Sequence, residues 1–159
     1  RNTHINRAVY VTTEDSKIPV EYMYIEHNGL LGTLHIKNGD SIKTHKFLNL
    51  LNVPPDTTID ELCKKHDATH LYTRTRFSHG VLNLFCSPII MKKNNIVSDL
   101  LGAEFYGDVL VGLLSEREDL TFNIDLPLEI LNVFLNDKTI MRRPPVNRLV
   151  CNVFKELKK

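Results

Sequence analysis

Cysteine is scarce in this sequence, and its distribution argues against two common kinds of small domain. Three cysteines occur among 159 residues, Cys63, Cys86 and Cys151, and no two of them form a Cys-x-x-Cys pair. An odd, scattered set favours neither a disulfide framework nor a zinc site. Because all three lie within apolar stretches, we expect reduced thiols in the core of an intracellular protein, nuclear or cytoplasmic.

An excess of charge is also missing. Twenty Lys and Arg residues balance nineteen Asp and Glu residues, so the formal net charge is +1. Nonspecific binding to a phosphate backbone would therefore need a local basic patch. No apolar run approaches the roughly 18 residues that a membrane-spanning helix requires, and we predict no membrane partner.

Motifs of common enzyme classes are missing as well. The sequence contains no Gly-rich phosphate loop, no His-Glu-x-x-His and no Gly-x-Ser-x-Gly. The histidines are scattered, and His66 falls on an apolar helical face, where it is interpreted as an edge of the core. A catalytic site assembled from distant residues stays open. We predict a noncatalytic domain with no metal, no cofactor and no evident small-molecule substrate.

The first part of the sequence predicts β-strands. Residues 20–25 alternate in polarity and end in His27-Asn28-Gly29, a turn signal. A second strand, residues 30–36, is closed by Lys37-Asn38-Gly39-Asp40. Strand, Asn-Gly turn and strand together predict a β-hairpin, which we place within residues 7–45.

A strand and a helix are predicted next. Residues 47–53 are an apolar run stopped by Pro54-Pro55, which cannot donate backbone hydrogen bonds. Thr57 or Thr58 can cap the following helix, with Asp60 or Glu61 reaching back in a capping box. Four residues share one face of that helix, namely Ile59, Leu62, Cys63 and His66.

The succession continues with two strands, a helix and a strand. The strands are residues 71–77, 81–86 and 109–114. The helix is predicted to start at Ser87-Pro88, to be interrupted at Asn94-Asn95 and to end at Gly102 in a left-handed conformation. Residues 46–114 therefore read strand, helix, strand, strand, helix, strand.

Three segments of this region resemble the RNA-recognition-motif family. They are residues 46–58, 79–86 and 100–111. Residues 52–58, Asn-Val-Pro-Pro-Asp-Thr-Thr, are similar to the family's Asn-Leu-Pro-Pro-Asp-Thr-Thr entry into its first helix. Residues 102–111 are similar to its Leu-x-Gly-x-x-Phe-x-Gly-x-x-Leu-x-Val ending. The resemblance covers residues 46–114, under half of the chain, and implies an antiparallel sheet with two helices.

The residues that give this family its chemistry are replaced. RNA-binding members stack bases on aromatic rings, and each stacked base contributes about 1–3 kcal/mol of binding free energy. The matching positions here hold Asn49, Val81 and Asn83. Arginines could still meet phosphates and Tyr72 could stack one base, or the surface could be solvated or covered by a partner. The candidate nucleic-acid or partner-binding face comprises Asn49, His70, Tyr72, Arg74, Arg76, Asn83 and Phe85.

Peptide capture between the two helices is another use of this family's fold, and the sequence matches it only in part. Asp60 and Glu61 supply the acidic residues expected on the first helix, and Phe105 stands where a phenylalanine is expected. Ala103, however, occupies the position of the arginine that this mode requires.

The C-terminal part predicts a strand and helices. Residues 120–124 form the strand, a helix follows Pro127, and Arg142-Arg143 form a basic linker. Residues 146–157 repeat apolar positions at helical spacing, and such a stripe needs a surface to cover, either its own sheet or a partner. This candidate docking helix comprises Leu149, Val150, Val153, Phe154 and Leu157.

Together these patterns predict one α+β domain over residues 1–159. It would contain a recognition-motif-like core at 46–114, a β-hairpin extension at 7–45, and a strand with C-terminal helices at 120–159. Since the first residue is Arg1, we expect part of a longer protein. We predict a protein-interaction or scaffold module of a eukaryotic nuclear or RNA-processing protein. The alternative is an atypical RNA- or single-stranded-nucleic-acid-binding domain that uses a basic sheet face.

Overall fold

The computed structural model describes residues 4–50, 53, 56–77, 80–87, 92–117 and 120–129. Within these ranges the chain forms eight strands and two short helices. The strands are β1 (Asn6–Val11), β2 (Lys17–Glu26), β3 (Leu31–Asn38), β4 (Ser41–Asn49), β5 (His70–Phe77), β6 (Gly80–Cys86), β7 (Val109–Arg117) and β8 (Leu120–Ile124). The helices are α1 (Ile59–His66), between β4 and β5, and α2 (Asn95–Leu101), between β6 and β7.

The strands pair in chain order and close into a barrel. β1 to β4 form an antiparallel meander, β4 and β5 pair in parallel, and β5 to β8 are antiparallel again. β1 closes the barrel by pairing with β7, where Val9 lies opposite Val111. β8 pairs with β7 beyond this contact, from Leu113 to Arg117. The closed barrel therefore has seven strands, and β8 extends its wall.

The predicted recognition-motif-like fold is wrong. Residues 46–114 do follow the predicted succession of strands and helices, but their strands belong to a closed barrel and not to an open sheet. β4 pairs with β3 on one side and, in parallel, with β5 on the other. The nuclear and RNA-processing setting followed from the family resemblance and is withdrawn with it.

The predicted N-terminal hairpin forms from β2 and β3. Asn28 fixes its turn, since Oδ1 accepts hydrogen bonds from the backbone N–H groups of Leu30 and Leu31 at 2.8 and 2.9 Å. Gly39 forms the next turn with φ +63°, a conformation that side chains disfavour. Both strands are part of the barrel wall, so the hairpin is not an appendage to another fold.

Apolar side chains are buried on both sides of the wall. The barrel core, inside, takes side chains from all seven strands: Ala8, Val20, Tyr22, Tyr24, Leu34, Ile36, Phe47, Tyr72, Phe85 and Leu110. The outer core lies between α2 and the outer sides of β1 and β4–β7. Its largest members include Leu48, Leu71, Leu82, Leu84, Leu101 and Phe105.

The ends of the two helices agree only in part with the ends predicted from the sequence. Thr58 precedes α1 but makes no side-chain cap, so the capping box predicted with Asp60 or Glu61 does not form. Both helices end at a residue in the left-handed conformation, Asp67 at φ +53° and Gly102 at φ +67°. The second of these confirms the predicted terminus.

α2 begins at Asn95, later than the predicted start. Asn94, which the pattern presents as an interruption, is instead its N-cap, because Oδ1 accepts from the Val97 backbone N–H at 3.1 Å. The Asn94 amide nitrogen donates to the carbonyl oxygens of Val11 and Gly107, both at 3.0 Å. This buried amide therefore ties the helix start to the end of β1.

Some predicted features lie outside the described residues. They are the Arg142-Arg143 linker, Cys151, and the docking helix with Leu149, Val150, Val153, Phe154 and Leu157. The predicted strand at residues 120–124 is confirmed as β8. The assignment of all 159 residues to one domain stays a prediction. Neither described helix is long and apolar enough to span a bilayer.

Candidate functional site

Most of the predicted binding face lies on one side of the wall, and that side is the barrel interior. Tyr72 is opposite Phe85, and Arg74 is opposite Asn83. Arg76 belongs to β5, but its side chain is outside the described part. Two of the interior residues are half-buried, His70 and Arg74. The other four are at most 5% exposed: Asn49, Tyr72, Asn83 and Phe85.

Aromatic rings fill the barrel. The Tyr72 ring stacks on Phe85 with centroids 4.7 Å apart and on Tyr24 with centroids 4.8 Å apart. Phe47 and Tyr22 meet Phe85 in edge-on contacts at 5.3 and 5.6 Å. These contacts occupy the ring faces that a nucleobase would need, so Tyr72 and Phe85 stabilise the barrel by packing.

Tyr22 and Tyr24 are interior residues that the sequence interpretation missed. Their alternation along β2 was visible, but it was assigned to a separate hairpin. Each hydroxyl lies over a glycine: a Cβ at Gly112 would be 2.8 Å from the Tyr22 hydroxyl, and a Cβ at Gly32 would overlap that of Tyr24. Burial raises the pKa of both tyrosines, so both hydroxyls are protonated at neutral pH.

A chain of buried polar groups crosses the interior. The Tyr72 hydroxyl donates to Asn83 Oδ1 at 2.8 Å, and Asn83 Nδ2 donates in turn to Asn123 Oδ1 on β8. Burial raises the pKa of Tyr72 to about 12, although the neighbouring Arg74 guanidinium acts to lower it. Asn83 and Asn123 are themselves buried. Asn83 therefore has a structural partner on each side.

Two histidines form a second interior pair. The rings of His45 and His70 are 4.5 Å apart between centroids, and Thr69 Oγ1 lies 2.8 Å from His70 Nδ1. Burial and, to a smaller extent, nearby His45 lower the pKa of His70 to about 4. Burial and then Lys43 lower the pKa of His45. Both rings are therefore neutral at pH 7 and supply no positive charge.

Arg74 has a different environment from the rest of the predicted face. It is half-buried on β5, and its Nε is buried without a hydrogen-bond partner among the described residues. No carboxylate in the described ranges forms an ion pair with it. Glu26 lies near enough to raise the pKa of Tyr72. The guanidinium itself lies within hydrogen-bonding reach of the Tyr72 hydroxyl, so the group left without a partner in the described ranges is the Nε alone.

The outer side of β2–β4 is a second candidate site. Its side chains alternate with the barrel-core residues and stand in three rows across the strands. The outer core includes no buried side chain of β2 or β3, so neither α1 nor α2 covers this part of the wall. We name it the bare sheet face, which comprises Glu21, Met23, Ile25, Thr33, His35, Lys37, Ile42, Thr44 and Lys46.

Other reactive or ligand-binding groups among the described residues do not form a strong candidate site. Burial raises the pKa of Cys63 to about 11 and that of Cys86 to about 12, so both thiols are poor nucleophiles. No cluster of three metal-binding side chains occurs within the described ranges. A shallow pocket of about 230 Å³ beside α2 is lined by Lys93, Ser98, Asp99, Gly102, Ala103 and Glu104.

Comparison with known proteins gives little further information. No protein-family model and no curated protein matches the chain. A crystal structure of the small RNA methyltransferase HEN1 is similar with a TM-score of 0.42 and 12% identity, over 85% of this chain and 16% of that one. A likeness at this level supports no statement about function.

Proposed function

We propose that this domain is a noncatalytic protein-interaction module that binds a protein partner through the bare sheet face. The observation that carries the proposal is a set of apolar side chains on a sheet face that neither described helix covers. Ile42 is 64% exposed, and Met23 and Ile25 are half-buried on the same face. On this face polar side chains of β3 lie between Ile42 and the other two, and such a mixture of apolar and polar side chains is usual in interfaces between proteins.

Polar side chains on this face are held by contacts between neighbouring residues. His35 Nδ1 lies 3.1 Å from Thr44 Oγ1 on the adjacent strand. His27, at the end of the same sheet, lies 2.6 Å by its Nε2 from Thr33 Oγ1. Side chains fixed before binding lose less conformational entropy when a partner docks. A rigid sheet with ordered side chains thus favours recognition by shape.

Charge on the face indicates which partner surface would fit. Lys46 is exposed at one corner, and Lys37 is exposed in the row between Glu21 and Ile42. A complementary partner would therefore present apolar side chains opposite Ile42 and opposite Met23 and Ile25, and at least one carboxylate opposite Lys46. Lys46 also contacts Asp67 at 3.6 Å, a pair exposed enough to be exchanged for a partner's carboxylate.

A nucleic acid is a less suitable partner for the described residues. Binding by stacking needs exposed rings, whereas Tyr72 and Phe85 are buried against each other. The paired histidines, His45 and His70, are neutral at pH 7. These features favour a protein over RNA as the partner of the domain.

Site-specific photocrosslinking of the full chain in its native cells tests the proposal. A photoreactive amino acid replaces Ile42 on the bare sheet face in one experiment. In a matched control it replaces Ile5, which is similarly exposed at 62% but lies outside this face. We expect a discrete protein crosslink at position 42 and none at position 5.

The crosslinked protein is then purified and its affinity measured by titration calorimetry. We expect Ile42→Asp to weaken binding at least tenfold, or roughly 1.4 kcal/mol, because a carboxylate would be buried in an apolar contact. Ile5→Asp should leave the affinity unchanged. Equal crosslinking at both positions, or recovery of nucleic acid at position 42, would contradict the proposal.

A further inference from the structure

Two exposed turns of the barrel wall contain the same dipeptide, Asn-Gly. Asn28-Gly29 lies between β2 and β3, and Asn38-Gly39 lies between β3 and β4. All four residues are exposed, so access to solvent does not distinguish the two turns. Glycine has no Cβ to obstruct its own backbone nitrogen, and this nitrogen can attack the side-chain amide of the asparagine before it. The two turns therefore place the same chemistry in two structural settings.

The side chain of Asn28 is fixed within its own turn. Its Oδ1 accepts from the backbone N–H groups of Leu30 and Leu31 at 2.8 and 2.9 Å. Attack by the Gly29 nitrogen would bring Asn28 Cγ within a bond length of that nitrogen, which moves Oδ1 away from both donors. Reaction at Asn28 must therefore break two hydrogen bonds.

The turn at Asn38 imposes no such restraint. Asn38 pairs with Ser41, so Gly39 and Asp40 are the two central residues, and φ of Gly39 is +63°. Within the described ranges, neither the Gly39 N–H nor the Asn38 side chain has a hydrogen-bond partner. The space beside Gly39 is open, since a Cβ built there would meet no atom within 4 Å. No contact among the described residues thus opposes attack of the Gly39 nitrogen on Asn38.

We propose that Asn38 is a site of spontaneous modification, at which asparagine is converted into aspartate and isoaspartate while Asn28 is protected. The Gly39 nitrogen loses its proton to a base in the solvent and forms a bond to Asn38 Cγ. The bond between Cγ and Nδ2 breaks, and Nδ2 takes up a proton and leaves as ammonia. Water then opens the five-membered succinimide. Cleavage of its Cγ–N bond gives aspartate, and cleavage of its backbone C–N bond gives isoaspartate.

Both products change the turn beside the bare sheet face. Each adds a negative charge directly after Lys37, a member of that face. Isoaspartate also lengthens the backbone by one carbon between β3 and β4, ahead of Ile42. Any effect on a partner rests on the proposed function. The modification itself is independent of it, because the test below measures only a covalent change.

Ageing of the full chain tests the proposal, with Asn28 as the control in the same molecule. The protein is incubated at pH 8 and 37 °C, folded in buffer and unfolded in guanidinium chloride. Cleavage after glutamate leaves both asparagines in one peptide, residues 27–61, and electron-transfer fragmentation locates aspartate and isoaspartate. In the folded chain we expect conversion at Asn38 to be at least about tenfold faster than at Asn28, which must break its two hydrogen bonds. In guanidinium chloride the two rates should become similar.

Three outcomes would overturn the proposal. The first is equal conversion at the two positions in the folded chain. The second is a ratio of rates that stays the same in guanidinium chloride, because the turns would then not be its cause. The third is aspartate without isoaspartate at Asn38, which would indicate direct hydrolysis and no succinimide. Asn38→Gln should abolish conversion at this position, since the longer side chain cannot form the five-membered ring, and should leave the rate at Asn28 unchanged.

Discussion

The two halves of the barrel wall share one interior but differ on their outer sides. β5, β6, β7 and β1 are covered by α2 and the outer core, whereas β2 and β3, with the exposed part of β4, form the bare sheet face. The sequence reflects this difference. Every residue from 81 to 87 and from 109 to 114 is buried, while burial alternates along β2 and β3. A strand covered on both faces is apolar throughout, and one covered on one face alternates.

The barrel interior, in contrast, joins the two halves. Rings from both halves meet at Phe85, because Tyr22 and Tyr24 come from β2 and Tyr72 comes from β5. The interior is therefore a common source of stability. The outer sides differ, since one half holds the helices and the other carries the bare sheet face, through which we propose that a partner binds.

The largest expected effect comes from the shared interior. Phe85 is 2% exposed and contacts rings from three other strands. Phe85→Ala should lower the free energy of unfolding by about 3–5 kcal/mol, because it removes a ring and leaves a cavity. Equilibrium urea denaturation measures this loss. A loss below about 1 kcal/mol would mean that the two halves do not share this core.

A paired substitution tests the outer sides directly. Leu84 is fully buried in the outer core. Leu84→Ala should lower the free energy of unfolding by about 2–5 kcal/mol. Ile42→Ala on the bare sheet face should change the free energy of unfolding by no more than about 0.5 kcal/mol. Urea denaturation of both variants gives the comparison. A large loss for Ile42→Ala would show that this face is already covered within the protein.

Local pattern was enough to find the strands but not their partners. Alternation at residues 20–25 and the Asn28 turn identify the first hairpin correctly, because both signals lie within a few residues. Closure depends on Val9 pairing with Val111, a contact between segments about one hundred residues apart. Periodicity carries no information on such pairing, so the same succession of elements was compatible with an open sheet and with a barrel.

The candidate site shows the same limit. Alternation along β5 and β6 placed Tyr72, Arg74 and Asn83 on one face, which is how the structure arranges them. Whether that face is open or enclosed depends on β2 and β3, and the two tyrosines of β2 occupy the space that an open sheet would expose. Asn94 was misread for a related reason: a buried polar residue looks like an interruption until its three hydrogen bonds are known.

The histidine pair joins the halves between β4 and β5, and it should make stability depend on pH. The pKa of His70 is about 4 in the folded protein and about 6.5 when exposed. On acidification the unfolded chain takes up this proton first, so stability is full above pH 6.5 and falls as pH decreases towards 4. The free energy of unfolding should fall by about 2 kcal/mol over this pH range. Urea midpoints at pH 7, 5.5 and 4.5 measure it, and His70→Gln should flatten the slope. An unchanged slope would contradict this interpretation.

The smallest expected effect on stability concerns Lys46, at the edge between the halves. Its amino group is 3.6 Å from Asp67, and both side chains are largely exposed, so solvent and side-chain entropy offset most of the attraction. Lys46→Met should therefore leave the urea midpoint unchanged. The same variant should weaken binding of the crosslinked partner if a partner carboxylate faces this corner, measured by calorimetry at low and moderate salt. Unchanged binding together with a lower midpoint would assign Lys46 to the covered half, where it would stabilise the end of α1 through Asp67, and would exclude it from the partner-binding part of the bare sheet face.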